Sequence, residues 1–130
     1  MSTIGIHVKF VGTFDDAIAK VTAALATEGF GILTDIDVQA TFKKKLDVDF
    51  RRYRILGACN PGFAHRALSS RLDVGLLLPC NVAVYESDDG TVELSAIDPL
   101  DTLAKNDASL AALAADVQDR LRRALEAAAR

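Results

Sequence analysis

At 130 residues and 13.9 kDa, the chain is half hydrophobic and a quarter charged, with eight glycines and three prolines; this is the size and balance of a single domain over residues 1–130. That composition excludes a disordered tail, a collagen-like fibre and a low-complexity linker, and no apolar run approaches the ~20 residues that cross a bilayer. A net charge of −3 and a pI near 5.3 lean away from the phosphate-neutralising surface of a nucleic-acid binder, so the expected setting is soluble and cytoplasmic, with neither nucleic acid nor membrane among the partners.

Met1-Ser2-Thr3 has no basic stretch or apolar core of a secretory signal and leads into alternating Ile4, Ile6, Val8 and Phe10, a strand over 4–11. Thr13 with Asp16 three residues on resembles a capping box. Phe14, Ala17, Ile18, Val21 and Leu25 then follow at helical spacing over 14–28, and Gly29 is a left-handed stop. Alternation over 32–38 predicts a second strand, antiparallel to the first or beside it. A short helix over 41–46 carries Phe42 and Leu46 on one side and Lys43, Lys44 and Lys45 outward. A strand over 52–59 sets Tyr53, Ile55, Gly57 and Cys59 on one face and Arg52, Arg54, Leu56 and Ala58 on the other.

Asn60-Pro61 starts a helix, because Asn caps free amides and Pro suits the first helical position; Ala64, Ala67, Leu68 and Leu72 carry it to Asp73. Residues 75–78 and 80–86 read as one strand interrupted by Pro79. Asp88-Asp89-Gly90 is a hairpin turn into a strand over 91–97 with Val92, Leu94 and Ala96 inward, and Asp98-Pro99 ends it. A final helix over 108–128 buries Leu110, Leu113, Val117, Leu121, Ala124 and Leu125. Strands and helices do not alternate regularly enough for a doubly wound sheet. The expected class is α+β, a mainly antiparallel sheet packed against two long helices.

Two segments stand out as chemistry: Cys59-Asn60-Pro61 and Pro79-Cys80-Asn81. A thiol just ahead of a helix start meets free amides and the positive end of the dipole, which favour the thiolate. With Asn60, Asn81 and His65 one turn into the helix, such a site could hold an anion, a soft metal or an electrophile. The plain reading stands beside it: cysteines as small core hydrophobes, Asn60 as a cap, Asn81 beside a bulge, His65 and His7 as surface. A Cys59–Cys80 disulfide requires Cα atoms within ~7 Å, which spacing leaves open.

Asp35, Asp37 and Asp98 form a second candidate set, for acid–base work or a metal, against ordinary roles on a solvated face and in a turn. The basic stretch Lys43, Lys44, Lys45, Arg51, Arg52 and Arg54 around Tyr53 is read as a solvated face and an aggregation-resistant edge rather than a nucleic-acid surface. No Gly-rich phosphate loop, Gly-x-Ser-x-Gly elbow, His-Glu-x-x-His or Cys-x-x-Cys occurs.

The segments Gly29-Phe30-Gly31-Ile32-Leu33-Thr34, Val48-Asp49-Phe50, Tyr53 through Pro61, Gly75 through Val82 and Ala96-Ile97-Asp98-Pro99 resemble the bacterial and archaeal family called domain of unknown function 302. The resemblance runs from about Phe14 to Leu125. It implies a curved antiparallel sheet gripped by helices, like the fold of the TATA-binding protein, without implying DNA binding. The family's name assigns no activity.

The leading expectation is a small-molecule or ion binding module, its pocket between sheet and helices at Cys59, Asn60, His65, Cys80 and Asn81. The alternatives are a thiol-based redox or nucleophilic enzyme using Cys59, and a structural or regulatory homodimer without a pocket. No cofactor follows from the sequence.

Overall fold

A computed structural model describes residues 4–130. Met1, Ser2 and Thr3, read above as a lead-in to the first strand, lie outside the described residues. The order is β1 (Ile6–Phe10), α1 (Phe14–Thr27), β2 (Gly31–Asp37), α2 (Val38–Leu46), β3 (Tyr53–Cys59), α3 (Pro61–Ser70), β4 (Cys80–Glu86), β5 (Val92–Ala96), α4 (Pro99–Asn106) and α5 (Ala111–Ala128). Short 3₁₀ segments occupy Leu72–Leu77 and Ala108–Leu110. The five strands form one sheet in the order β1-β5-β4-β3-β2, antiparallel at every pairing. The α+β class and the two long covering helices are as expected.

The caps anticipated from sequence form. Thr13 accepts from the Asp16 amide at 3.1 Å, and Asn60 from the Phe63 amide at 3.3 Å. Gly29, at φ 88°, stops α1. Helices α1 and α5 pack on each other and on the same side of the sheet. Phe14, Ala17, Val21 and Leu25 of α1 interlock there with Val117, Leu121 and Leu125 of α5 and with Leu56, Val82, Val84 and Leu94 below them. Arg52 lays its guanidinium over the Phe14 ring, 4.4 Å from its centroid, and pairs with Asp15 at 2.6 Å, tying the start of α1 to the edge of this core.

Several expectations are corrected. The second strand does not lie beside the first: α1 carries the chain across the sheet, and β1 and β2 end on opposite edges with the other three strands between them. Residues 75–78 are not strand. Leu76 is 88 % exposed on the 3₁₀ segment, and pairing starts only at Cys80, after Pro79, which has no N–H for a ladder. Helix α3 stops at Ser70, short of Asp73. Asp98-Pro99 ends a strand and also opens α4: Asp98 accepts from the Leu100 amide at 2.9 Å, and Pro99 takes the first turn. Asp37 ends β2 one residue early because its carboxylate caps α2, accepting from the Ala40 amide at 2.9 Å.

Gly57 sits on the sheet face away from the long helices, where a side chain would have no room. A Cβ there would collide with Thr34 Oγ1 and come within 2.9 Å of Pro79 Cγ. Thr34 can rotate; the proline ring cannot. Gly57→Ala is therefore expected to cost about 1–3 kcal/mol as an overpacked site. Urea unfolding reads this as a lower midpoint at unchanged slope.

Candidate functional site

Because side chains alternate along a strand and the long helices cover only one side, every strand presents a second row to the opposite face. The register sets His7, Ser95, Ala83, Ile55 and Ile36 in one line across the sheet, and Lys9, Glu93, Tyr85 and Tyr53 in the next. Tyr53 and Tyr85 stack with centroids 4.9 Å apart and planes 8° from parallel. Burial and the neighbouring Tyr85 push the Tyr53 hydroxyl above its usual pKa. Phe50 lies 6.3 Å from Tyr53, and Phe42 meets Phe50 edge-on at 5.1 Å, extending an aromatic row from α2 to the middle of the sheet.

Two shallow clefts flank the tyrosine stack. One, of about 340 Å³, is lined by His7, Tyr53, Asn81, Ala83, Tyr85 and Ser95. The other, of about 430 Å³ and almost wholly apolar, runs between the sheet and α2 along Ile36, Val38, Phe42, Phe50 and Ile55.

His7, read from sequence as plain surface, is engaged on both nitrogens. Nε2 lies 2.5 Å from the Ile4 carbonyl, and Nδ1 lies 3.0 Å from Glu93 Oε1 and 2.9 Å from Ser95 Oγ. With Nε2–H donating to Ile4, the neutral ring accepts from the Ser95 hydroxyl at Nδ1; the protonated ring donates there to Glu93. A nucleophilic triad needs serine and acid on different ring nitrogens. Here both crowd one, which is not the geometry of an acyl-transfer triad. Sequence reasoning passed over His7 because its partners lie on a strand 86 residues away.

The residues singled out from sequence lie at neighbouring strand ends but face different surroundings. Cys80 faces the core, 4 % exposed beside Ala58, and burial together with the nearby Cys59 pushes its thiol up to about 11. Cys59, half-buried at the end of β3, falls on the other pleat. Both thiols are free. Asn60 is a structural clamp: it caps α3 and its amide donates to the Glu28 carbonyl at 3.5 Å, joining the end of α1 to the start of α3. His65 is exposed on α3. Only Asn81 reaches a cleft on the uncovered face. The pocket expected between sheet and helices is occupied by packed core side chains. Among the described residues no three His, Cys, Asp or Glu side chains gather to hold a metal.

The carboxylates are committed elsewhere. Asp35 takes Arg54, whose guanidinium holds it below the usual carboxylate range. Asp37 caps α2, and Asp98 caps α4 while accepting from Gln118 at 3.1 Å. The basic stretch is likewise largely paired: Lys43 with Asp47 and Asp49, Arg51 with Asp88, Arg52 with Asp15. Among the described residues no helix is long and apolar enough to cross a membrane.

The family model for the domain of unknown function DUF302 matches residues 6–128. The chain belongs to the DUF302 family. A crystal structure of an uncharacterized conserved DUF302 protein from Bacillus stearothermophilus is similar to it at 31 % identity and a TM-score of 0.90, over 99 % of this chain and 100 % of that one. No curated protein matches. In this DUF302 chain the Cys59 segment ends β3 and the Cys80 segment opens β4.

The two thiols are expected to separate by chemistry. Cys80 should alkylate about a hundredfold more slowly at neutral pH than an ordinary thiol, since each unit of raised pKa removes a factor of ten in thiolate; mass spectrometry after timed labelling would show Cys59 modified first. Cys80→Ser should cost about 1–3 kcal/mol by burying a hydroxyl, and Cys59→Ser should be nearly neutral. The unfolded chain ionises Cys80 near 9.0 and the folded one near 11, so its contribution is intact below pH 9 and lost as pH climbs towards 11. The Cys80→Ser variant should lose this part of the alkaline decline in urea midpoints.

Proposed function

We propose that the domain is a small-molecule binding module whose site is the uncovered sheet face beside the Tyr53–Tyr85 stack. The observation that carries this reading is the pairing of that stack with polar groups along one cleft: Asn81, His7 and Ser95. A binding site of this kind needs apolar area for affinity and a few placed polar groups for orientation. Tyrosine supplies both, with little side-chain entropy to lose.

The ligand class that fits is small and flat, with an apolar ring to lie against the tyrosines and a hydrogen-bonding edge to meet Asn81 and the Ser95 hydroxyl. A neutral or anionic edge suits the amide donors of Asn81; the His7 nitrogens are already engaged by Ile4, Glu93 and Ser95. His7, Glu93 and Ser95 lack the geometry of a hydrolytic triad, so the reading is binding rather than turnover.

Tyr53 and Tyr85 are the chain's two tyrosines, and it has no tryptophan. Intrinsic emission excited in the tyrosine band therefore comes from the proposed site. Titration with benzoate, salicylate, adenine and indole should give saturable quenching for at least one probe, weakened several-fold in Tyr85→Ala and Asn81→Leu. At a hundred times the dissociation constant that probe should add about 2.7 kcal/mol to stability. Linear, unsaturable quenching by all four probes, with no rise in melting temperature, would overturn the reading.

A further inference from the structure

Among the polar side chains of the cleft beside the tyrosine stack, Ser95 has a hydrogen-bonding role that its neighbour decides. Its hydroxyl lines the cleft and, among the described residues, has one side-chain partner, His7 Nδ1 at 2.9 Å. The same nitrogen lies 3.0 Å from Glu93 Oε1. Nε2 is held against the Ile4 carbonyl at 2.5 Å, and a carbonyl oxygen only accepts. The ring therefore keeps its Nε2 proton in both charge states. Every change of charge is made at Nδ1.

Each state leaves Ser95 with a different sense. A neutral ring presents a lone pair at Nδ1, which takes the serine proton, so Ser95 offers the cleft only lone pairs. A protonated ring has no lone pair there. Its Nδ1–H goes to the Glu93 carboxylate, because an ionised acceptor makes the stronger bond, and the Ser95 proton is released towards the cleft. Charge works in the same direction. Beside a neutral ring the Glu93 carboxylate, its side chain 17 % exposed, is an uncompensated and weakly screened anion. Protonation of His7 cancels it. The other groups facing the ring do not reverse this. Lys9, opposite Glu93 in register, is taken by Asp89 at 2.6 Å. On β4, Tyr85 stands across from Glu93 and is committed to its stack with Tyr53, and Ala83 stands across from Ser95. Helix α5 packs on the covered side of β1, away from the imidazole.

We infer that His7 is the specificity switch of this cleft: neutral, it selects a ligand whose edge donates to Ser95, and protonated, one whose edge accepts. The switch rests on the tyrosine-stack site proposed above and narrows its ligand. With His7 neutral, the class is a flat ring bearing an uncharged amide-type edge, its N–H for Ser95 and its carbonyl for the Asn81 amide. A carboxylate on the same ring meets serine lone pairs and the Glu93 charge together. It binds well only once His7 is protonated.

Benzamide and benzoate share a ring and differ in that edge, so their affinities at pH 8 and pH 5.5, read by tyrosine emission, test the switch. Histidine is the side chain that ordinarily changes charge across this interval, and the chain has two, His7 and His65. Benzamide should bind more tightly at pH 8, and its preference over benzoate should fall about tenfold at pH 5.5, the worth of one mismatched hydrogen bond. His7→Gln, which cannot titrate, should hold the preference constant, and Ser95→Ala should shrink its change. His65→Gln, exposed on α3, should respond like the wild type. Nitrogen-15 spectra of the ligand-free imidazoles add a reading that needs no probe: at pH 8 neutral His7 should carry its proton on Nε2. Saturable binding with a preference indifferent to pH overturns the switch and leaves the tyrosine site standing. A change that survives undiminished in folded His7→Gln or Ser95→Ala does the same, as does a neutral His7 protonated on Nδ1. Linear quenching by both probes at both pH values overturns the tyrosine site, and the switch with it.

Discussion

The structure depends on one asymmetry: two long helices cover one face of a five-stranded sheet and leave the other open. An antiparallel sheet can live this way because its strands alternate, one row of side chains going to the dry side and the next to water. On the dry side the rows are Val, Leu, Ala and Phe, almost without exception fully buried. No buried polar side chain is left without a hydrogen bond among the described residues. Everything with chemical character is therefore pushed to the open face or the ends of strands. The location of any site follows from the layering before individual residues are considered.

The same asymmetry decides the fate of the two cysteines. One position of strand register separates Ala58, which faces the core with Cys80, from Cys59, which does not. A pleat repeats every two residues, so sequence neighbours point apart. The adjacent Asn and Pro residues then acquire separate explanations. Asn60 satisfies the first amides of α3 and reaches the last carbonyls of α1, and Pro61 fits the first helical turn. Pro79 closes over the bare Gly57. Two similar triplets in sequence turn out to do different mechanical jobs, which weakens the argument from their repetition.

How far the sequence could be read varied with the range of the determining interaction. Strand alternation, helical stripes and caps are local, and the helices over 14–28 and 108–128 and the inward Val92, Leu94 and Ala96 came through with small shifts at the ends. The 75–78 segment misled because Leu76, Leu77 and Leu78 have strand-like composition, while Pro79 and the preceding helix set their actual path. Helix α4 was concealed because Asp98-Pro99 serves as both strand stop and helix start. The site was the least legible part. His7 meets Glu93 and Ser95, and Tyr53 meets Tyr85, only through strand pairing across long stretches of chain. The available signal was the alternation itself: once β1, β3, β4 and β5 are paired, His7, Tyr53, Tyr85 and Ser95 must share a face.

The open face also explains why the β2–α2 flank differs from the rest of the chain. Helices α1 and α5 are long enough to span the sheet and bury a stripe from end to end; α2 is too short, and it follows an edge strand backed by the core only at Ile32. Its apolar side chains can lean on the open face only by way of Phe42, Phe50 and Tyr53, and that row is one ring deep. A single layer of aromatics shields one side of itself and leaves the other wet. The hydrophobic effect then favours any arrangement that supplies a second layer. The tyrosine stack lies at the inner end of this row, joined to it through Tyr53.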